Sequence, residues 1–167
     1  FQNKDNKREV VLDVGANFGA YSVYAYLQNV KKIYSYEPEP SNFELLSENT
    51  KDKKNIFIFN KALISGDEPE VMDFYLPKNR KNMGSCSLYV KNGRDKIQVE
   101  TENFQKVLNK VKPTIIKMDC EGAEYDLLLN CKLPKSVKMI TIELHFGKKE
   151  WRNDKVYKVI DIFKDWE

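Results

Sequence analysis

Apolar positions alternate between two rhythms along the chain. Residues 10–14 (VVLDV) form a strand-like run broken by Asp13 alone, and they lead straight into Gly15 and Gly19. Ala20, Val23, Tyr24 and Leu27 then recur at i, i+3, i+4, i+7, which predicts a helix over 20–28 with that face turned inward. Residues 32–36 (KIYSY) are a second short strand, stopped at Glu37 by Pro38 and Pro40. Ser41 and Glu44 fit a capping box, predicting a helix to about Thr50 with Phe43 and Leu46 inward. Residues 56–59 (IFIF) are continuously apolar, the pattern of a strand buried on both faces.

The middle of the chain is less regular. Residues 71–76, 87–90 and 97–100 read as short strands separated by Gly66, Pro77, Gly84 and Gly93, an antiparallel excursion. Thr101 is placed to cap a helix with Phe104, Val107, Leu108 and Val111 on one face, ended by Pro113. A strand at 114–118 stops at Asp119 and Glu121-Gly122, a helix covers 123–131, and a strand at 137–144 exits through Glu143 and His145. Val156, Val159, Ile160 and Phe163 mark a last helix.

Strands alternating with helices predict an α/β fold, a Rossmann-like, mainly parallel sheet with helices on both faces, in a single domain over residues 1–167. The carboxyl ends of its strands then share one edge, where open α/β sheets bind ligands. That edge gathers Asp13, Glu37, Asn60, Asp119, Glu121 and His145.

Composition narrows the partners. The net charge is only +3, and of 28 basic residues 24 are lysine, so neither clustering nor arginine content suggests a nucleic-acid footprint. The lysine-rich stretches 51–54 and 78–81 read as solvated loops. Cys86, Cys120 and Cys131 form neither a disulfide framework nor a zinc pattern; a reducing, cytoplasmic setting is the simplest expectation. No apolar run is long enough to anchor the chain in a membrane.

The loop itself excludes two cofactor classes. Asp-x-Gly-x-x-x-Gly departs from the Gly-x-Gly-x-x-Gly of dinucleotide sites and lacks the Gly-Lys-Ser/Thr of a P-loop. Glu37 lies 22 residues after Gly15, about the distance at which a strand-end carboxylate accepts hydrogen bonds from ribose hydroxyls. A rim of carboxylates suits an unphosphorylated ribose carrying a positive centre. The sulfonium of S-adenosylmethionine meets that description better than a nucleotide does.

VLDVGANFG, YEPEPSNFE, NKAL and above all KMDCEGAEYDLL closely resemble the FkbM family of S-adenosylmethionine-dependent methyltransferases, and GSCSL and TIELH are similar to its later motifs. The resemblance implies a class I methyltransferase sheet and methylation of a hydroxyl on a small molecule or sugar. It assigns Asp13, Gly15, Asn17 and Gly19 to the methionine portion, Glu37 to the ribose, Asn60 to Ala62 to the adenine side, and Asp119 to the methionine end and the reacting methyl, with Ala16 and Pro38 as further cofactor-binding residues. The candidates for a general base are Asp119, Glu121 and His145; Glu121 could equally cap a helix, and His145 could equally be a structural hydrogen-bonding residue. No metal is called for, although Asp119, Glu121 and Glu143 are oxygen donors at the right edge. Lys117 and Glu143 are expected to form an internal ion pair, Glu124 to be an exposed helix residue or part of the acceptor wall, and residues 84–88 to form a turn or an acceptor loop.

Class I folds close with an antiparallel hairpin after the last helix. This sequence opens on Phe1 and stops at Trp166-Glu167, so it is read as part of a longer chain lacking that hairpin, with an exposed sheet edge and reduced stability. Other readings are a non-catalytic binding module that keeps the fold and a nicotinamide-dependent oxidoreductase. A nucleic-acid amine methyltransferase would show an Asn/Asp-Pro-Pro-Tyr/Phe motif, which is absent.

Overall fold

A computed structural model describes residues 8–67, 69–77, 86–88, 95–145 and 153–164. The elements run β1 (Val10–Val14), α1 (Ala20–Leu27), β2 (Lys32–Tyr36), α2 (Pro40–Thr50), β3 (Ile56–Phe59), β4 (Ala62–Ile64), β5 (Val71–Leu76), β6 (Asp95–Asn103), α3 (Phe104–Val111), β7 (Ile115–Met118), α4 (Glu124–Leu129), β8 (Met139–Ile142) and α5 (Asn153–Ile162). Five strands form one sheet in the order β3-β2-β1-β7-β8, every neighbouring pair parallel. The chain starts in the middle, moves outward, then returns to the other side of β1. The fold is therefore the expected α/β architecture, with all five carboxyl ends at one edge.

Strand alternation sorts the core. Leu12, Val14, Ile116 and Met118 pack with Phe104 and Leu108 of α3, Leu127 and Leu128 of α4, and Val156 and Val159 of α5. On the other face Val11, Ile33 and Ile115 pack with Ala25 and Val30. Burying each such side chain contributes about 1.5–3 kcal/mol. The irregular middle is a small mixed sheet, β4-β6-β5, in which β5 and β6 are antiparallel as expected while β4 pairs parallel to β6. Phe74, Leu76, Cys86, Leu88 and Val99 give it a core of its own. Of the expected strand at 87–90, Ser87 makes one bridge to Tyr75, and residues 89–90 lie outside those described, as do Gly84 and residues 78–81.

Several local expectations differ from the structure. Helix α1 buries Ser22 and Ala25, whereas Tyr24 and Leu27 of the apolar stripe are 47% and 66% exposed. Two small residues let the helix settle close to the sheet, and the Ser22 hydroxyl is drawn down by polar partners beneath it. Strand β3 is an edge strand with Phe57 half exposed, not a central one; its apolar run is instead explained by the stacking of Phe57 on Tyr34 and of Phe59 on Tyr36. Glu39, not Ser41, caps α2: its carboxylate accepts the Asn42 N–H at 2.7 Å and the Ser41 hydroxyl at 2.5 Å, with Pro40 at the first helical position. Asn103 caps α3, because the Thr101 hydroxyl is already donated to the Pro69 carbonyl inside β6. Strand β8 is shorter than expected, a turn from Pro134 to Val137 occupying its start. Among the described residues no helix is long and apolar enough to cross a membrane.

Candidate functional site

The loop after β1 is shaped by backbone geometry. Gly15 (φ +73°) and Gly19 (φ +90°) are left-handed, as is Asn17 (φ +53°). The N–H groups of Gly15 and Ala16 both donate to the Tyr36 carbonyl, at 3.0 and 2.9 Å, tying the loop to the end of β2. A Cβ on Gly15 would lie 1.9 Å from the Asp119 carbonyl oxygen, so only glycine allows the tips of β1 and β7 to approach this closely.

A buried polar row supports this loop from below. Register places Asp13 between Ser35 on β2 and Lys117 on β7. Asp13 Oδ2 accepts from the Ser22 hydroxyl at 2.6 Å, and Ser22 and Ser35 share a hydrogen bond of 2.7 Å. The Lys117 ammonium donates to the Gly15 carbonyl at 2.7 Å and stands 3.5 Å from Asp13 Oδ1 and 3.7 Å from Asp119 Oδ2. Burial pushes the Asp13 carboxyl up, and Lys117 and Ser22 pull it back toward the ionised form. The expected Lys117–Glu143 pair is not formed; Lys117 turns to the loop, and the Glu143 carboxylate is 69% exposed.

At the tip of β2, Glu37 is 5% exposed. Its two oxygens accept the Asn17 N–H at 2.8 Å and the Glu39 N–H at 2.9 Å. Burial pushes its carboxyl up to about 7, against those two backbone donors and the Asn42 side chain. Asn60 donates its amide to the Glu37 and Pro38 carbonyls at 2.8 and 3.1 Å, so it fastens this turn from the end of β3.

The loop after β7 uses side chains instead. Glu121 (φ +53°) and Gly122 (φ +103°) turn the chain sharply, and the fully buried Glu124 holds the turn by accepting the Cys120 N–H at 2.8 Å and the Gly122 N–H at 2.7 Å. Glu124, expected as an exposed helix residue or part of the acceptor wall, is thus neither exposed nor among the residues that line the cleft described below. Helix α4 begins two residues after Gly122, and its N-cap is Ala123, which makes no side-chain bond. The Ser87 hydroxyl donates to the Glu121 carbonyl at 2.8 Å, joining the small sheet to this loop. His145 Nδ1 lies 3.3 Å from Glu124 Oε1 and Nε2 lies 3.5 Å from Glu121 Oε1. Desolvation and Glu124 push the Cys120 thiol well above its ordinary range, which removes it as a nucleophile.

These loops enclose one cleft. Gly15, Asn17, Glu37, Pro38, Ala62, Asp119 and Glu121, all candidates from the sequence, line it. Asp13, Ala16, Gly19, Asn60 and His145 stand behind the lining and act on it through hydrogen bonds or packing. Asn42 and Phe74 also line it and were not anticipated, while Cys86 and Leu88 bring to it the described end of the expected turn or acceptor loop at 84–88. Asn42 carries no signal in the sequence beyond its place just after Pro40. Phe74 sits at an inward position of the short strand β5, where an apolar residue reads as core.

Asp119, Glu124 and His145 bring one ligating atom each within 4.8 Å of the others. In this arrangement the Glu124 carboxylate also accepts two loop amides, and the Lys117 ammonium stands 3.7 Å from Asp119 Oδ2.

Residues 13–166 match the Methyltransferase FkbM domain family. The chain belongs to that family. The hexuronic acid methyltransferase AglP of Haloferax volcanii is 25% identical over 146 residues, covering 83% of this chain and 57% of that protein. The chain thus spans a little over half the length of this curated relative. A precorrin-6y C5,15-methyltransferase of Geobacter metallireducens shares 12% identity, covering 94% of this chain and 61% of that one with a TM-score of 0.45. In this FkbM domain, then, the KMDCEGAE stretch covers the tip of β7 and the turn locked by Glu124, and the LDVGANFG stretch forms the loop that Lys117 and Tyr36 secure.

Proposed function

We propose that this FkbM domain, read as a single domain over residues 1–167, transfers a methyl group from S-adenosylmethionine to a hydroxyl of a sugar or small molecule in the cytoplasm. The observation that carries the reading is one cleft with a buried carboxylate, Glu37, at the tip of β2 and two further carboxylates, Asp119 and Glu121, beyond the tip of β7.

The residues fit the cofactor's chemistry. Glu37 offers an acceptor to ribose hydroxyls, with its carboxylate aimed by the Asn17 and Glu39 N–H groups. Ala62, Leu63, Phe74 and Leu88 provide apolar wall for a base, and Asp119 and Glu121 suit a cationic centre. When bound, S-adenosylmethionine supplies a methyl group activated on a sulfonium. The protein's part is to hold an acceptor hydroxyl in line with that methyl, worth of order 7–11 kcal/mol in favourable intramolecular reactions. Glu121, at the cleft wall, accepts the hydroxyl proton, a contribution of roughly 10²–10⁴-fold. That AglP is named for a hexuronic acid supports a sugar acceptor.

Calorimetric titration with S-adenosylhomocysteine tests the cofactor site. Micromolar binding is expected, weakened by about 1–3 kcal/mol in Glu37→Ala. A folded chain that gives no binding heat overturns the reading.

A further inference from the structure

Behind the cleft wall three side chains stand in line: Glu121 lines the cleft, His145 lies behind it, and Glu124 is fully buried beyond His145. We propose that they form a proton relay in which Glu121 takes the acceptor's proton and passes it to His145 Nε2, while Glu124 is a positioning residue that fixes the tautomer of His145. The proposal deepens the methyl-transfer reading and rests on it.

Geometry assigns the direction. Glu124 cannot turn away from His145 without releasing the Cys120 and Gly122 N–H groups, so its Oε1 is a stationary acceptor 3.3 Å from Nδ1. An acceptor fixed there calls for hydrogen on Nδ1 and leaves the lone pair on Nε2, which faces Glu121 Oε1 at 3.5 Å. The backbone of the imidazole is anchored as well, its carbonyl accepting the Tyr125 hydroxyl at 3.0 Å. On the cleft side, the Ser87 hydroxyl and the left-handed turn hold the Glu121 backbone. Among the described residues Glu121, Glu124 and, at 4.0 Å, Glu143 face the ring, and Asp119 lies nearby with the Lys117 ammonium 3.7 Å from its Oδ2.

The step balances. As the acceptor oxygen bonds to the methyl carbon, the carbon–sulfur bond breaks with its electron pair left on sulfur, and the hydroxyl proton moves to the Glu121 carboxylate. It then passes to Nε2, producing imidazolium between two carboxylates. With its side chain 18% exposed, His145 can return the proton to water. This is the order of a base oriented by a buried acid, with a second carboxylate standing at the substrate.

His145 is the only histidine, so a nitrogen-15 correlation spectrum of the labelled chain reads its tautomer without overlap. In mildly alkaline buffer the expected spectrum has hydrogen on Nδ1 and a bare Nε2, the reverse of the tautomer a free histidine side chain favours. Glu121→Gln should move the Nε2 resonance and leave Nδ1 in place, which a merely structural His145–Glu124 bond would not do. Glu124→Gln, checked for folding by circular dichroism, should shift population toward the other tautomer; if it does not fold, the wild-type and Glu121→Gln spectra decide. Hydrogen on Nε2 in the wild type, a ring still doubly protonated, or an Nε2 signal indifferent to residue 121 overturns the relay. Titration of the wild type with S-adenosylhomocysteine runs beside it, so a failed cofactor site is distinguished from a failed relay.

Discussion

The loops after β1 and β7 sit side by side at adjacent strand tips, and both turn the chain through left-handed residues. They are stabilised in opposite ways. The first relies on the missing side chain of Gly15 and on backbone donors that reach the Tyr36 carbonyl. The second relies on one added side chain, the buried carboxylate of Glu124, which gathers two backbone N–H groups and stands against His145. A turn made by absence tolerates no substitution. A turn made by a carboxylate can be loosened by degrees, and it brings a charge within reach of chemistry.

The sharpest break in that comparison is Gly15→Ala. Its methyl would strike the Asp119 backbone in a conformation alanine disfavours, so the two tips must part. A loss of about 4 kcal/mol or more in denaturant unfolding, together with loss of S-adenosylhomocysteine binding, is expected. Glu124→Ala comes next. It strands the Cys120 and Gly122 donors and should cost about 3 kcal/mol by the same measurement, while leaving the β1 loop intact.

Glu37→Gln has a smaller effect, and its sign depends on pH. The Glu37 carboxyl titrates near 7 in the folded chain, against an ordinary value of 4.5. Between those values the folded state keeps a proton that the unfolded state releases, so its contribution to stability falls as pH rises through that window, by about 3 kcal/mol at most. Glu37→Gln removes that slope in unfolding experiments run across the window. Ribose hydroxyls donate to the ionised carboxylate, so cofactor affinity in the wild type should climb as pH passes 7, while the variant binds roughly tenfold more weakly without that dependence. Gly19→Ala should matter least: its Cβ comes closest to the end of the Leu46 side chain, at 2.6 Å, rather than to backbone, and the left-handed conformation adds about 1 kcal/mol of strain.

The same contrast explains what the sequence revealed. Short apolar runs between turn residues marked β1, β2 and β3 to the residue, because a strand in a parallel sheet has little choice of side chain. Gly15 and Glu37 were legible because their conformational and chemical demands are local. Glu124 was not: nothing in an acidic residue at the start of a helix says whether it faces water or two backbone donors. The packing face of α1 was misread for a similar reason, since Ser22 is buried by its bonds to Asp13 and Ser35, partners that hydropathy does not count. Asp13 itself, read as a ligand contact at a strand end, lies completely buried beneath the loop, where a register match with Lys117 gives it an ion pair.

The aromatic rings of β2 and β3 form a continuous row. Tyr36 lines the cleft and stacks on Phe59, Phe59 lies 6.5 Å from Tyr34, and Tyr34 stacks on Phe57 at the outer edge. The chain therefore carries a row of four coupled chromophores with one end at the cleft and the other at the solvent. A molecule that settles against Tyr36 alters the asymmetry of the whole row, and near-ultraviolet circular dichroism can follow its arrival with no label attached.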